Sequence, residues 1–342
     1  MFDVNGPPKN PGTLFSLDCS AEESKVHILP VPFAATSSYH RVSNYAPEAI
    51  IRASQQIDLY DPILGNPWES GIYTHPFDKH VWDYSDEANL LVDFVRCIQQ
   101  GQKVENFDYA VSIKNIDEIC KLVYDYVFQW TQNILNNDYI PGILGGDHSV
   151  SLGCIKAASE KYDDLVVIQI DAHADLRKDY EGFIYSHASI MHNVLCYYGT
   201  IYKIIQFGIR DLCPEERLRQ YNYSNIVYTF FDQLTDWDNL DLSYIDNRIS
   251  TCLENEVSNI LYNKPVWITC DIDGLEPSLC PNTGTPVPGG LTWKQFCKLL
   301  HAISGISNIV GFDLVEVGKE DLDANIGARA LYQLIGNAVR NK

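Results

Sequence analysis

Six short runs rich in apolar and β-branched residues, VHILPVPF, YIPGIL, DLVVIQID, IYKIIQFGI, PVWITCDID and SNIVGFDLVEV, are spread along the chain and separated by longer helical or loop stretches. Strands that alternate with helices in this way build a parallel sheet covered on both faces. In such sheets ligands bind beyond the carboxyl ends of the strands, which is where most of these runs turn polar. The residues that carry function are therefore expected there.

Between the runs, a helical segment begins near Pro47. Segment 62–83, rich in Pro, Gly and aromatics, reads as loop and edge strand. Asn115 followed by Glu118 has the form of a capping box, and Ile119, Val123, Val127, Trp130 and Ile134 then recur at spacings of three and four, the mark of a helix packed on a core. No linker, repeat or low-complexity stretch interrupts the 342 residues, so a single domain spanning 1–342 is expected.

The formal charge of −20 argues against nucleic acid or an anionic membrane as a partner and is compatible with a cationic substrate. The start, MFDVNGPPKNPG, has neither a basic head nor an apolar stretch, and no transmembrane run occurs. Ten cysteines lie without CxxC pairs, with Cys97, Cys120, Cys154, Cys196, Cys270 and Cys297 in apolar contexts; buried, reduced thiols in a cytoplasm are the expectation.

In VVIQIDAHADLR, three potential metal ligands occupy alternate positions after an apolar strand: Asp171, His173 and Asp175. Strand alternation would aim all three one way. Asp271 and Asp273 in TCDIDG repeat the pattern, and His148 in GILGGDHS follows a third strand. Imidazoles with carboxylates suit a borderline-hard divalent cation such as Mn²⁺, and four carboxylates that can bridge suit two cations better than one, with a bridging hydroxide expected between them. Each motif alone is compatible with an ordinary strand-end turn. Together they are not, because four buried carboxylates without cations repel one another.

The ordered series GGDHS, DAHAD, SHAS, DIDGLEP, TGTPVPGGLT and GFDLVEV resembles the signature of the arginase and agmatinase, or ureohydrolase, family from about Val31 to the C-terminus. The resemblance leaves residues 1–25 as an N-terminal extension. It implies a three-layer α/β/α fold with a mainly parallel eight-stranded sheet, a binuclear manganese site, assembly into homo-trimers or homo-hexamers, and hydrolysis of a guanidino group to urea and an amine. On the matching positions it implies His148, Asp171, His173, Asp175, Asp271 and Asp273 as metal ligands. It implies Glu316 as the carboxylate that takes the guanidinium by paired hydrogen bonds, and Thr285 as a substrate contact. His187 is implied as the group that protonates the departing amine, with His192 as its rival. Asp313 is implied to orient His173, and Asp175 to orient the attacking hydroxide.

Arg177 stands where arginases carry an Asn for the amino-acid end of their substrate. With the agmatinase-like look of DLRKDYEGFIYSHAS and GTPVPGG, agmatine is the first substrate expected. If Arg177 instead received a substrate carboxylate, guanidinobutyrate, guanidinopropionate or formiminoglutamate would follow; if it is structural, it pairs internally with a neighbour such as Asp179 or Glu181. Arginine and free guanidine complete the alternatives. In SSYHRVSNYAPEAI, Val42 and Ala46 replace glycines that the family's first loop usually has, so another loop path is expected, with His40, Arg41, Asn44 or Tyr45 reshaping the pocket. Glu276 and Asn282 are smaller departures. A single-zinc deacetylase of the same architecture needs fewer acids than this chain has, and an inactive binding protein would ordinarily have lost ligands.

Overall fold

The computed structural model describes residues 4, 6–8, 10–38, 43–105, 107–197, 199–238 and 253–340. The apolar runs form strands β1 (Val26–Val31), β3 (Ile140–Gly145), β4 (Leu165–Ile170), β5 (Ile201–Ile209), β7 (Pro265–Asp271) and β8 (Asn308–Val315). Two short edge strands, β2 (Ile72–Thr74) and β6 (Val227–Phe231), complete a sheet of order β2-β1-β3-β8-β7-β4-β5-β6. Every pairing is parallel. β6 was not among the expected strands. It lies at the edge and buries only Val227 and Phe230 fully, so its sequence lacks the continuous apolar run of a central strand.

Helices α1 (Ala46–Ser54), α7 (Leu253–Leu261), α8 (Trp293–Ile306) and α9 (Asp321–Val339) cover one face of the sheet. α2 (Lys79–Gln99), α3 (Tyr109–Asn136), α4 (Ser151–Lys161) and α5 (Ile190–Tyr197) cover the other, and α6 (Pro214–Asn222) follows β5. Alternation along β4 serves both cores: Val166, Ile168 and Ile170 enter the first, Leu165 and Val167 the second.

Two boundaries differ from expectation. α3 begins at Tyr109, capped by the Asp108 carboxylate, which accepts from the Ala110 and Val111 N–H groups at 3.0 and 3.1 Å. Asn115 and Glu118 therefore lie inside the helix and cap nothing. α2 starts at Lys79 within the segment expected to be loop, because Asp78 accepts from the His80 N–H at 2.9 Å.

Ahead of β1, Leu14, Phe15 and Leu17 are buried, and Phe15 meets Tyr332 of α9 edge-on at 5.0 Å. Cys120, Cys154 and Cys270 are buried and Cys97 and Cys297 half-buried, but Cys196, near the end of α5, is exposed, contrary to expectation. Among the described residues no helix is long and apolar enough to cross a membrane.

Candidate active site

The strand order places β3, β8, β7 and β4 side by side, so their carboxyl ends bring His148, Glu316, the Asp271–Asp273 pair and the Asp171–Asp175 segment to one point. Gly146 makes the first of these placements possible. A Cβ there would stand 1.9 Å from the Phe33 carbonyl oxygen, so only glycine lets the chain leaving β3 pass this close to the chain leaving β1.

Alternation does not by itself deliver Asp171, His173 and Asp175, because β4 ends at Ile170. The Asp171 carboxylate accepts from the His173 N–H at 2.6 Å and starts a turn, and Asp175 reaches the site from left-handed backbone, φ 52°. Glu316 is also left-handed, φ 59°. Such conformations cost on the order of 1–3 kcal/mol each for residues other than glycine and cluster where function requires them.

His148 Nδ1 is surrounded by oxygens of Asp175, Asp171 and Asp271 at 3.1, 3.2 and 3.5 Å. His173 Nδ1 stands 3.0 Å from Asp273 and 3.6 Å from Asp171. Two groups able to hold a metal result, His148–Asp171–Asp175 and Asp171–His173–Asp273, with Asp171 common to both. The tautomer of His148 is set from behind. Thr269 Oγ1 donates to Asp313 at 2.7 Å and so accepts from His148 Nε2 at 2.8 Å, which leaves the Nδ1 lone pair facing the carboxylates. Nδ1 is buried and has no hydrogen-bond partner among the described residues. A lone pair aimed into a ring of anionic oxygens is repulsive unless a cation or proton lies between them, so the donor set fits divalent metal.

In the protein alone, protons take that place. Burial pushes Asp271 and Glu316 well above the carboxylate range, and burial with the charge of Asp171 lifts Asp175 to about 7. Burial opposes charge on the imidazoles, but the carboxylates beside them raise His148 well above its ordinary value and His173 to about 12.

His148, His173, Asp175 and Asp271 line a cavity of about 210 Å³, together with Glu316, His187, Arg177 and Thr285. Glu316 accepts from the His148 N–H at 3.0 Å and from Ser43 Oγ at 3.4 Å. His187 is half-buried. Thr36 Oγ1 donates to Asp147 at 3.0 Å, so it accepts from both the His187 N–H at 3.0 Å and Nδ1 at 3.3 Å; Nε2 is left as the basic nitrogen, 3.0 Å from Ser38 Oγ. Burial and the positive charges of His173 and Arg96 lower its pKa to about 3. His192 does not line the cavity; it lies against Arg219 and Cys196.

The model of the arginase family matches residues 24–339. The chain belongs to the arginase family. It is 34% identical over 319 residues to an agmatinase of Bacillus subtilis, covering 92% of each chain. It is 28% identical over 324 residues to an N(1)-aminopropylagmatine ureohydrolase of Thermus thermophilus, covering 93% of this chain and 92% of the relative. Among solved structures, the agmatine ureohydrolase of Thermoplasma volcanium superposes with a TM-score of 0.69 at 24% identity over 95% of each chain. As an arginase-family member the protein is a ureohydrolase, and it shares its fold, here built on an eight-stranded parallel sheet, with that structure.

Several residues of this arginase-family chain sit otherwise than expected. Asp313 accepts from Thr269, Trp267 and Ser151 at 2.7, 2.7 and 2.8 Å. It therefore orients His148 by way of Thr269, and not His173, because the β7–β8 register sets Thr269 beside Asp313. Arg177 pairs internally, but with Glu216 rather than with Asp179 or Glu181. Its Nε is 3.8 Å from Glu216, its guanidinium lies 5.3 Å from the Tyr180 ring centroid, and it makes no hydrogen bond through its side chain to the described residues. Glu181 is taken by Arg96. Of the divergent first loop, His40, Arg41 and Val42 lie outside the described residues. Asn44 is buried, Tyr45 is exposed beside Trp82, and Ala46 opens α1 without positive φ. Asn282 fastens its loop to α9 through two bonds to Asp323 at 2.8 and 2.9 Å.

Polar residues inside the central strands were overlooked, and they carry much of the support. Gln169 donates to Asp171 at 2.7 Å, accepts from Gln206 at 2.7 Å, and Gln206 accepts in turn from Gln220 at 3.0 Å. The signal was present in the sequence: Gln169, Gln206 and Thr269 interrupt runs that are otherwise apolar, and a polar group buried in a parallel sheet needs a partner.

Proposed function

We propose that this ureohydrolase acts on agmatine, releasing urea and putrescine, with two divalent cations, manganese by preference, held by His148, Asp171, His173, Asp175, Asp271 and Asp273. The observation that carries the reading is the pair of histidine–carboxylate groups sharing Asp171, whose His148, His173 and Asp175 line one cavity with Glu316. When bound, the cations supply Lewis-acid activation of a water and neutralise charge developing on the substrate.

The chain's own residues do the rest. Glu316, buried and fixed by the His148 N–H, takes two N–H groups of the planar guanidinium and sets its face toward the carboxylate cluster. Asp175, held in left-handed backbone, orients the attacking water toward the guanidinium carbon. A carbon–oxygen bond forms and the carbon–nitrogen bond to the alkyl chain breaks; both protons of the attacking water end on the departing amine, one of them relayed by His187 Nε2, the nitrogen that Thr36 leaves basic. Asp211, which also lines the cavity, gives an exposed carboxylate for the second cationic group of agmatine. The relatives named agmatinase support this choice.

One observation favours a second reading. The Arg177 guanidinium lines the same cavity and, apart from its Nε 3.8 Å from Glu216, makes no side-chain hydrogen bond to the described residues, leaving a fork suited to the carboxylate of a guanidino acid. Urea release from manganese-loaded protein, compared across agmatine, guanidinobutyrate, guanidinopropionate and arginine, separates the two. Agmatine is expected to have the highest kcat/KM; preference for an acid that disappears in Arg177→Ala would replace the first reading by the second.

A further inference from the structure

Arg96, on α2, fastens two loops that meet at His187. Its Nε donates to both carboxylate oxygens of Glu181 at 2.8 and 2.9 Å, and Nη2 donates to Glu181 at 2.7 Å. The same Nη2 donates to the Ser37 carbonyl at 2.9 Å and the Thr36 carbonyl at 3.4 Å. Both side chains are largely buried, 14% and 20% exposed. Each fastened residue belongs to, or adjoins, a group that touches His187. Thr36 receives its N–H and Nδ1, Ser38 faces its Nε2, and the Tyr180 ring stands edge-on to it at 5.5 Å.

The Glu181 end is also strained. Tyr180 and Phe183 exchange backbone hydrogen bonds at 3.1 and 2.9 Å across a two-residue turn in which both Glu181 and Gly182 have positive φ, 55° and 94°. Glycine adopts this without cost, and glutamate does not. A turn that needs only local stability would carry asparagine or aspartate at the first position. A long carboxylate there is explained by its reach to Arg96, and Gln99 of the same helix adds a bond to the Glu181 carbonyl at 3.0 Å.

We infer that Arg96 is a positioning residue for His187: through its fork to Glu181 and its bonds to the Thr36 and Ser37 carbonyls, it holds the proton-delivering imidazole at the point where the leaving amine departs. The inference rests on the role of His187 given above. The test compares two substrates, agmatine, whose leaving group is a basic alkylamine, and 4-nitrophenylguanidine, whose electron-poor aniline also gains a proton but leaves with much less dependence on a positioned acid. His187→Ala is the reference, and Arg96→Met and Glu181→Gln are the variants, the second keeping the side-chain shape should the first fold poorly.

The expected result is a loss in kcat of about tenfold or more on agmatine, a KM within about threefold of wild type, and little loss on the aryl substrate, in both variants and in His187→Ala. Arg96→Lys, which keeps the charge and loses the fork, is expected to recover only part of the rate. Equal losses on both substrates in the Arg96 and Glu181 variants, with the selective loss kept in His187→Ala, would mean that Arg96 merely stabilises the fold and would overturn the inference. Absence of a selective loss in His187→Ala would remove the role of His187 itself, and the inference with it.

Discussion

Thr269→Val isolates the contact that sets the tautomer of His148. Thr269 is fully buried and valine has nearly its shape, so the change opens no cavity; it removes the acceptor for His148 Nε2 at 2.8 Å and one of the four side-chain hydrogen bonds that Asp313 accepts from the described residues. A buried donor left without a partner costs about 1–3 kcal/mol, which bounds the stability loss. Removing a partner that orients a metal-binding histidine typically weakens metal binding about 10–100-fold, and at about 1.4 kcal/mol per factor of ten this is about 1.4–2.8 kcal/mol. The assay is calorimetric titration of Mn²⁺ into chelator-stripped protein, with Thr269→Ser as the control that keeps both hydrogen bonds. Wild type and the serine variant should bind alike, and valine more weakly within that range. Equal affinity in wild type and valine, or a serine variant as weak as valine, would refute the reasoning, because the hydroxyl would then not be what prepares His148.

Three further outcomes are expected. Glu316→Gln leaves the two histidine–carboxylate groups intact but removes the charge facing the guanidinium, so Mn²⁺ affinity should hold while kcat/KM for agmatine falls by about 2–5 kcal/mol in transition-state binding; unchanged kcat/KM would remove Glu316 from substrate binding. Gly146→Ala, which would press a Cβ to 1.9 Å from the Phe33 carbonyl, should cost about 1–3 kcal/mol or more in chemical denaturation, and a midpoint equal to wild type would contradict the close approach. At the sheet edge, Trp130 Nε1 donates to His75 Nδ1 at 3.4 Å, so His75 Nε2 donates to His27 Nδ1 at 3.0 Å, and His27 Nε2 donates to the Ala21 carbonyl at 3.1 Å. Burial, and then His27, lower the pKa of His75 from 6.5 to about 4, so the unfolded chain binds a proton that the folded chain refuses until about pH 4. Stability from this group is full above the unfolded value and falls as pH drops from 6.5 towards 4; denaturation midpoints across that window should fall less steeply in His75→Gln, and identical slopes would exclude the pair as the cause.

The sequence made the central strands and the residues at their ends legible because both signals are local. Continuous apolar runs mark strands buried on two faces, and charge at their carboxyl ends marks a site. The edge strand β6 lacked the first signal, and α3 hid its start behind Asp108, whose capping role depends only on backbone N–H groups two and three residues on. That the Asp171, Asp271 and His148 segments lie at the carboxyl ends of strands in one parallel sheet could be expected from the alternation of strands and helices; the strand order that makes them neighbours could not. The way Asp175 reaches the site could not, since it depends on a left-handed turn rather than strand alternation. Partner choice was least legible. That Asp313 serves His148 follows from the β7–β8 register, and that Glu181 binds Arg96 joins residues 85 positions apart. Neither register nor a distant ion pair is written in local pattern.

The most direct test of the central claim is a paired measurement on one preparation: metal content per chain by elemental analysis, and urea released from agmatine. Two divalent cations per chain, with urea production that is lost on chelation and restored by Mn²⁺, is the predicted result. One zinc per chain and no urea from agmatine or from any of the guanidino acids would contradict it.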